Sequence, residues 1–184
     1  MSRRTVPSPV TVLVSVLYRD EETFSTALER LAERFGPIAS VSGPFPFDRT
    51  DYYEREMGPG LLRRFVVFEE PAGRDALVRL KIAAEELENA FSTGGRRSVN
   101  IDPGILTDEN FVLATGKNHG HRIYLGEGVF ADLTLVYRKG EYRPLPWTYP
   151  DYAGGAIRSF LGTVRADRRE SRLRGRSGGA RACG

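Results

Sequence analysis

Residues 11–18 read Thr-Val-Leu-Val-Ser-Val-Leu-Tyr (TVLVSVLY), β-branched or apolar at nearly every position. A strand with one solvated face would alternate polar and apolar residues, so this run predicts a central strand buried on both faces. Moving outward, Asp20 reads as a helix N-cap, and Phe24, Ala27, Leu28, Leu31, Ala32 and Phe35 recur at helical spacing up to Gly36 and Pro37. A short strand is expected at 38–41 and a polar, aromatic connection over 48–60 with one helical turn at 51–57. Residues 61–69 predict another strand, centred on Phe65, Val66, Val67 and Phe68. A second helix spans 74–91, with Leu77, Leu80, Ala84, Leu87 and Phe91 on one stripe and Arg79, Glu85, Glu86 and Glu88 assigned largely elsewhere. After a turn at 92–97 come short strands at 98–102, 111–115, 121–125, 129–138 and 141–145, with hairpin turns at Gly126-Glu127-Gly128 and Lys139-Gly140, then a helix over 152–165.

The order strand, helix, strand, strand, helix, strand is that of a ferredoxin-like α+β sandwich, extended here by an antiparallel β-meander, a C-terminal helix and a disordered basic tail. Both of the first two long helices are expected on one face of the sheet. The reading gives a flexible arm at 1–9, a single α+β domain at 10–165 and an Arg-rich tail at 166–184. Such a fold serves binding modules, RNA readers and enzymes alike, so function has to come from individual side chains.

A chain of 184 residues, 40% of them hydrophobic, has enough apolar material for one core. Its single cysteine, Cys183, forms neither an internal disulfide nor a cysteine-based zinc site, which points to a reducing compartment. No apolar run approaches the roughly 20 residues needed to span a bilayer, and the first residues lack the apolar centre of a signal peptide. The expectation is a cytoplasmic protein with no membrane partner. The pI near 9.2 is a local effect. Residues 165–184 hold seven arginines against Asp167 and Glu170, a net of +5, which leaves −2 for residues 1–164 out of the total of +3. Any nucleic-acid contact is therefore expected to be nonspecific and to run through the tail.

The chain has no G-x-x-x-x-G-K-[ST] phosphate loop, no G-x-G-x-x-G after a strand and no G-x-S-x-G. What remains is a set of polar and aromatic residues in connections and at strand ends, where binding groups usually sit: Asp51, Tyr53, Glu56, Arg63, Arg64, Asn100, Asp102, Lys117, His121, Arg122, Trp147, Tyr149 and Asp151. Adjacent strand residues point to opposite faces, so Arg63 and Arg64 cannot both join a core unpaired. With Lys117, His121 and Arg122 they suggest a small cationic pocket for a phosphate- or nucleotide-like ligand. The alternatives are structural: Asp102-Pro103-Gly104 as a turn, tyrosines capping the core, and residues 145–150 clamping a terminal helix. Exposed Trp147, Tyr149 and Tyr152 would instead suit a partner or a second copy of the chain. His121 beside Asp102 suits acid–base chemistry. His119 and His121 have metal-ligand spacing with Asp102 or Asp132, but no metal or cofactor is assigned.

Three stretches resemble a bacterial family, the domain of unknown function 4416 family. They are Pro44-Phe45-Pro46-Phe47 through Thr50-Asp51-Tyr52-Tyr53, Glu56-Met57-Gly58 and Arg63-Arg64-Phe65; Asn100-Ile101-Asp102-Pro103-Gly104; and Lys117 through His121-Arg122-Ile123-Tyr124-Leu125 to Leu145-Pro146-Trp147-Thr148-Tyr149-Pro150-Asp151-Tyr152. The resemblance runs over about residues 10–165 and leaves out the arginine-rich tail. It implies no established activity. Some members are described as GTP-binding, a property for which this chain lacks the phosphate loop.

Overall fold

The computed structural model describes residues 3–179. In chain order the elements are β1 (Thr11–Tyr18), α1 (Glu21–Phe35), β2 (Ile38–Val41), β3 (Phe45–Pro46), α2 (Glu54–Met57), β4 (Leu62–Phe68), α3 (Leu77–Ala90), β5 (Ser92–Thr93), β6 (Arg96–Arg97), β7 (Asn100–Leu106), β8 (Asn110–Thr115), β9 (Arg122–Gly126), β10 (Val129–Arg138), β11 (Glu141–Pro144) and α4 (Gly155–Gly179). The main sheet runs β11-β10-β8-β7-β1-β4-β2, with β3 beside β4 and β9 beside β10, and every pairing is antiparallel. The inner order β7-β1-β4-β2 is compatible with a ferredoxin-like core, and β8 to β11 are the meander that extends it.

All eight residues of β1 are buried, as its composition demands. Val12, Val14, Val16 and Tyr18 face a core shared with Phe24, Ala27 and Leu31 of α1 and with Leu77, Leu80 and Ala84 of α3. The two helices thus share one face. Leu13 looks the other way, into a second core built with Phe65, Val67, Leu106, Phe111 and Leu135 and closed by Ile157, Leu161 and Val164 of α4. Asp20 caps α1 by accepting from the Thr23 backbone N–H at 2.9 Å.

Two expectations need correction. The stretch Asp102-Pro103-Gly104 is not a turn but the middle of β7. Ile101 N–H points away from β1 and donates to Glu88 Oε1 at 2.5 Å, and the Pro103 nitrogen, two residues on, points the same way. On that side β8 pairs with β7 only at Gly104, Ile105 and Leu106. A donor-less proline therefore sits where the ladder stops. Gly104 is required at this seam, because a Cβ there would lie 2.7 Å from a Phe111 ring carbon. The second correction concerns the last helix, expected to end at residue 165. Helix α4 continues to Gly179, and Arg168 and Arg172 bond back to Phe68 O and to Asp108. The part of the tail at 180–184 lies outside the described residues.

Candidate functional site

The early end of the β7–β8 ladder opens a gap in the sheet, and side chains from α3 enter it. Around the gap lies a cavity of about 700 Å³ on the face that α4 covers only further along. Its floor is the polar half of that face: Arg63 of β4, with Asn100 and Asp102 of β7, over the buried Ser15 of β1. Ser15 pairs with Asp102 in register, and Leu17 stands between Arg63 and Asn100. Leu17, Phe47, Met57 and Leu61, with Tyr53 packed against them, form a small third core. That core pins the 48–60 connection over the end of β1 and sets Tyr53 in the cavity wall.

Arg63 is buried, its side chain only 5% exposed. It donates through Nη1 to Ser15 Oγ at 2.8 Å and lies 2.7 Å from Asp151 Oδ2. The Tyr152 and Phe47 rings flank its guanidinium, with centroids at 4.5 and 5.1 Å. Its Nε is buried without a hydrogen-bond partner, and Asp151 Oδ2 faces Arg63 outside hydrogen-bonding geometry.

A second network enters from α3 and the β5–β6 hairpin. Gly94 and Gly95 take positive φ of 60° and 77° at the tip of that hairpin, which brings Arg97 back toward the sheet. Arg97 grips Glu56 through Nε (2.7 Å) and Nη2 (2.9 Å) and reaches Glu88 and Asn100 with Nη1 (3.2 and 3.1 Å). Asn100 in turn donates to Asp102 at 2.7 Å. The two glutamates respond in opposite directions. Hydrogen bonds from Arg97 hold Glu56 below the usual carboxylate range, while burial pushes Glu88 above it, against the opposing pull of Lys81 and the Ile101 N–H. Burial also raises the Tyr53 and Tyr152 hydroxyls. Lys81 Nζ lies 3.7 Å from Glu85 Oε1 and 3.9 Å from Asp102 Oδ1 and makes no hydrogen bond among the described residues, although its side chain is only 9% exposed.

Tyr53, Arg63, Asn100, Asp102, Lys117, Tyr149 and Asp151, all anticipated as candidates, line this one cavity. Glu56 stands behind it, holding Arg97. Asp51 faces a separate surface recess beside Asp48 and Glu54. Of the five expected cations, Arg63 and Lys117 line the cavity and Arg122 donates to Lys117 O at 2.9 Å, whereas Arg64 does not join them. Arg64 lies on the opposite face, over the Phe24 ring and 3.1 Å from Glu21. Arg122 is held by Asp132 at 2.8 Å and donates to Tyr149 Oη at 2.6 Å. His121 stacks on Trp147 and lies 3.3 Å from Asp132, so its carboxylate neighbour is Asp132 and not Asp102. Trp147 donates its indole N–H to Leu133 O and is 39% exposed, whereas Tyr152 is core. Lys117 donates to Tyr52 Oη at 2.7 Å.

The wall carries Arg63, Lys81, Arg97 and Lys117 against Glu85, Glu88, Asp102, Asp132 and Asp151. It is mixed in charge rather than cationic. Among the described residues no group of three or more His, Cys, Asp or Glu side chains is placed to hold a metal ion. The residues missed from sequence are Lys81, Glu85, Glu88 and Arg97. Lys81 and Glu88 did carry a signal. At 100° per residue they fall inside the stripe of Leu77, Ala84 and Phe91, where a charged side chain must find a polar partner.

A family model described as Domain of unknown function (DUF4416) matches residues 8–167. No curated protein and no solved structure matches the chain.

Proposed function

We propose, on the premise that the chain belongs to the domain of unknown function 4416 family, that it binds a small ligand bearing both an anionic group and hydroxyls, of the sugar-phosphate or nucleotide kind. The ligand occupies the 700 Å³ cavity, a volume in the usual range for small-molecule sites. The observation that carries the reading is the Lys81 ammonium, nearly buried and without a hydrogen bond among the described residues, set among the polar side chains of Arg63, Asn100, Asp102, Lys117 and Asp151 that line the same space. Buried polar groups are normally satisfied, so such a cluster calls for a ligand. Lys81 and Lys117 meet the anion, Asp102 bonds hydroxyls, and the Tyr53 and Tyr149 rings flank the remainder. The reading is of binding and assigns no reaction. Among the described residues no helix is long and apolar enough to cross a membrane. A cytoplasmic setting belongs to the same proposal and rests on the lone cysteine.

A thermal-unfolding screen of nucleotides and sugar phosphates tests this. A true ligand at about 100 times its dissociation constant stabilises the fold by about 2.7 kcal/mol. Lys81→Met is expected to abolish that shift while still unfolding cooperatively. A shift that persists in full in Lys81→Met overturns the reading.

One observation favours a second reading, an interaction or self-association module. Edge strand β9 exposes Ile123, Tyr124 and Leu125, at 69%, 61% and 41%. A dimeric mass by light scattering would support this reading, and a monomeric mass at high concentration rejects self-association.

A further inference from the structure

A second cavity, of about 480 Å³, lies away from the first, between the N-terminal arm, the β7–β8 turn and the far half of α4. We propose that this cavity, with the arginine face of α4 that overhangs it, binds phosphate groups. Arg165, Arg168, Arg169 and Arg172 are spaced i, i+3, i+4 and i+7, which gathers four guanidinium groups within about 100° of helix surface. Asp167 and Glu170 fall on the other side, where Glu170 is paired with Arg174 at 2.6 Å. A helix stabilised by its own charges would interleave the signs; this one separates them.

Asp108 is the sole carboxylate among the described residues within 4 Å of any of the four arginines. It lies 2.7 Å from Arg172, 3.8 Å from Arg165 and 3.9 Å from Arg169. Four guanidinium groups facing one carboxylate leave a surplus of three positive charges, unlike the balanced first cavity. The inner two are fixed in place. Arg165 lies 3.6 Å from the centroid of the Tyr137 ring and donates to Asp108 O at 3.0 Å, and Arg168 donates to Phe68 O. The outer two, Arg169 and Arg172, are 54% and 41% exposed and keep N–H groups free for an incoming ligand. Ser8 and Thr11 add hydroxyls to the wall. Fixed guanidinium forks with surplus charge match phosphate oxygens in geometry as well as sign. Three of the four arginines lie beyond residue 167, where the family match ends.

A phosphate can come from a small molecule or from a nucleic-acid backbone, and two probes separate these sources on the full-length chain. Calorimetry with pyrophosphate reads the first, and anisotropy with a labelled oligothymidylate reads the second. The double variant Arg169→Gln/Arg172→Gln is expected to weaken whichever probe binds by at least about tenfold, since two charge-assisted contacts to phosphate oxygens are lost. For the oligonucleotide, the slope of log K against log salt should also shrink by about 1.4, from about 0.7 per lost single-strand phosphate contact. Arg174→Gln, on the other face, and Lys81→Met, in the first cavity, are expected to leave binding unchanged, so a failure of the first site does not touch this one. Binding of pyrophosphate assigns a small phosphorylated ligand; binding of the oligonucleotide alone assigns a backbone. No binding of either probe at low salt, or equal weakening by Arg174→Gln, overturns the proposal.

Discussion

Replacing Arg63 by methionine is expected to lower the unfolding free energy by about 3–5 kcal/mol, because it strands Asp151 as a buried carboxylate with no counter-charge. Both side chains are nearly inaccessible, at 5% and 9%, so solvent screening offers little relief. The loss extends beyond the ion pair, since the guanidinium also bonds Ser15 and fills the space between Phe47 and Tyr152. For a domain of this size the midpoint should fall by about 6–20 °C. Changing both partners, Arg63→Met with Asp151→Leu, removes the stranded charge and should recover most of the loss. Equilibrium denaturation of the two variants provides the comparison. A single variant within about 1 kcal/mol of the parent, or a double variant no better than the single, would show that the pair is not a buried ionic contact.

The second large effect is expected from Leu161→Ala. Leu161 is completely buried and belongs to the core that α4 closes over Leu13, Phe65 and Leu135. Truncating such a side chain removes transfer energy and leaves a cavity, which together cost about 2–5 kcal/mol. The same denaturation measurement reads it. If the change is below about 1 kcal/mol, α4 does not seal the second face, and the first cavity would be open along that whole side.

Much of the fold was legible because it rests on local pattern. The unbroken apolar run of β1, the Asp20 cap, the α1 periodicity and the Gly-containing hairpins each report on neighbours a few residues away. The order of elements then left few topologies, and the observed β7-β1-β4-β2 order is one that the pattern favours. The course of α4 was not legible, because what holds its arginine-rich half is distant in sequence: Asp108 and Phe68 O. Composition alone reads that segment as having nothing to bury. At the site, aromatic and charged connection residues pointed to the right region. The carboxylate partner of His121 was not legible, because strand register decides it. His121 meets Asp132 across the β9–β10 pairing rather than Asp102 on β7. Lys81 and Glu88 escaped notice for a different reason. A helical stripe was drawn through its apolar members, and the charged residues lying inside it were set aside.

Pro103 carries a wider consequence for how this sheet makes room for a ligand. Continuing the β7–β8 register by one step would place Pro103 opposite Ala114, in a pair that needs an N–H from position 103. With any other residue there, the two strands could keep zipping downward, and Ala114 and Thr115 would close over Asp102 and shut out Lys81. The imino acid acts as a stop on strand pairing. The opening in the middle of the sheet thus begins at one missing backbone N–H, with the next free donor, that of Ile101, taken by Glu88, and the charged side chains around it meet in the room this leaves.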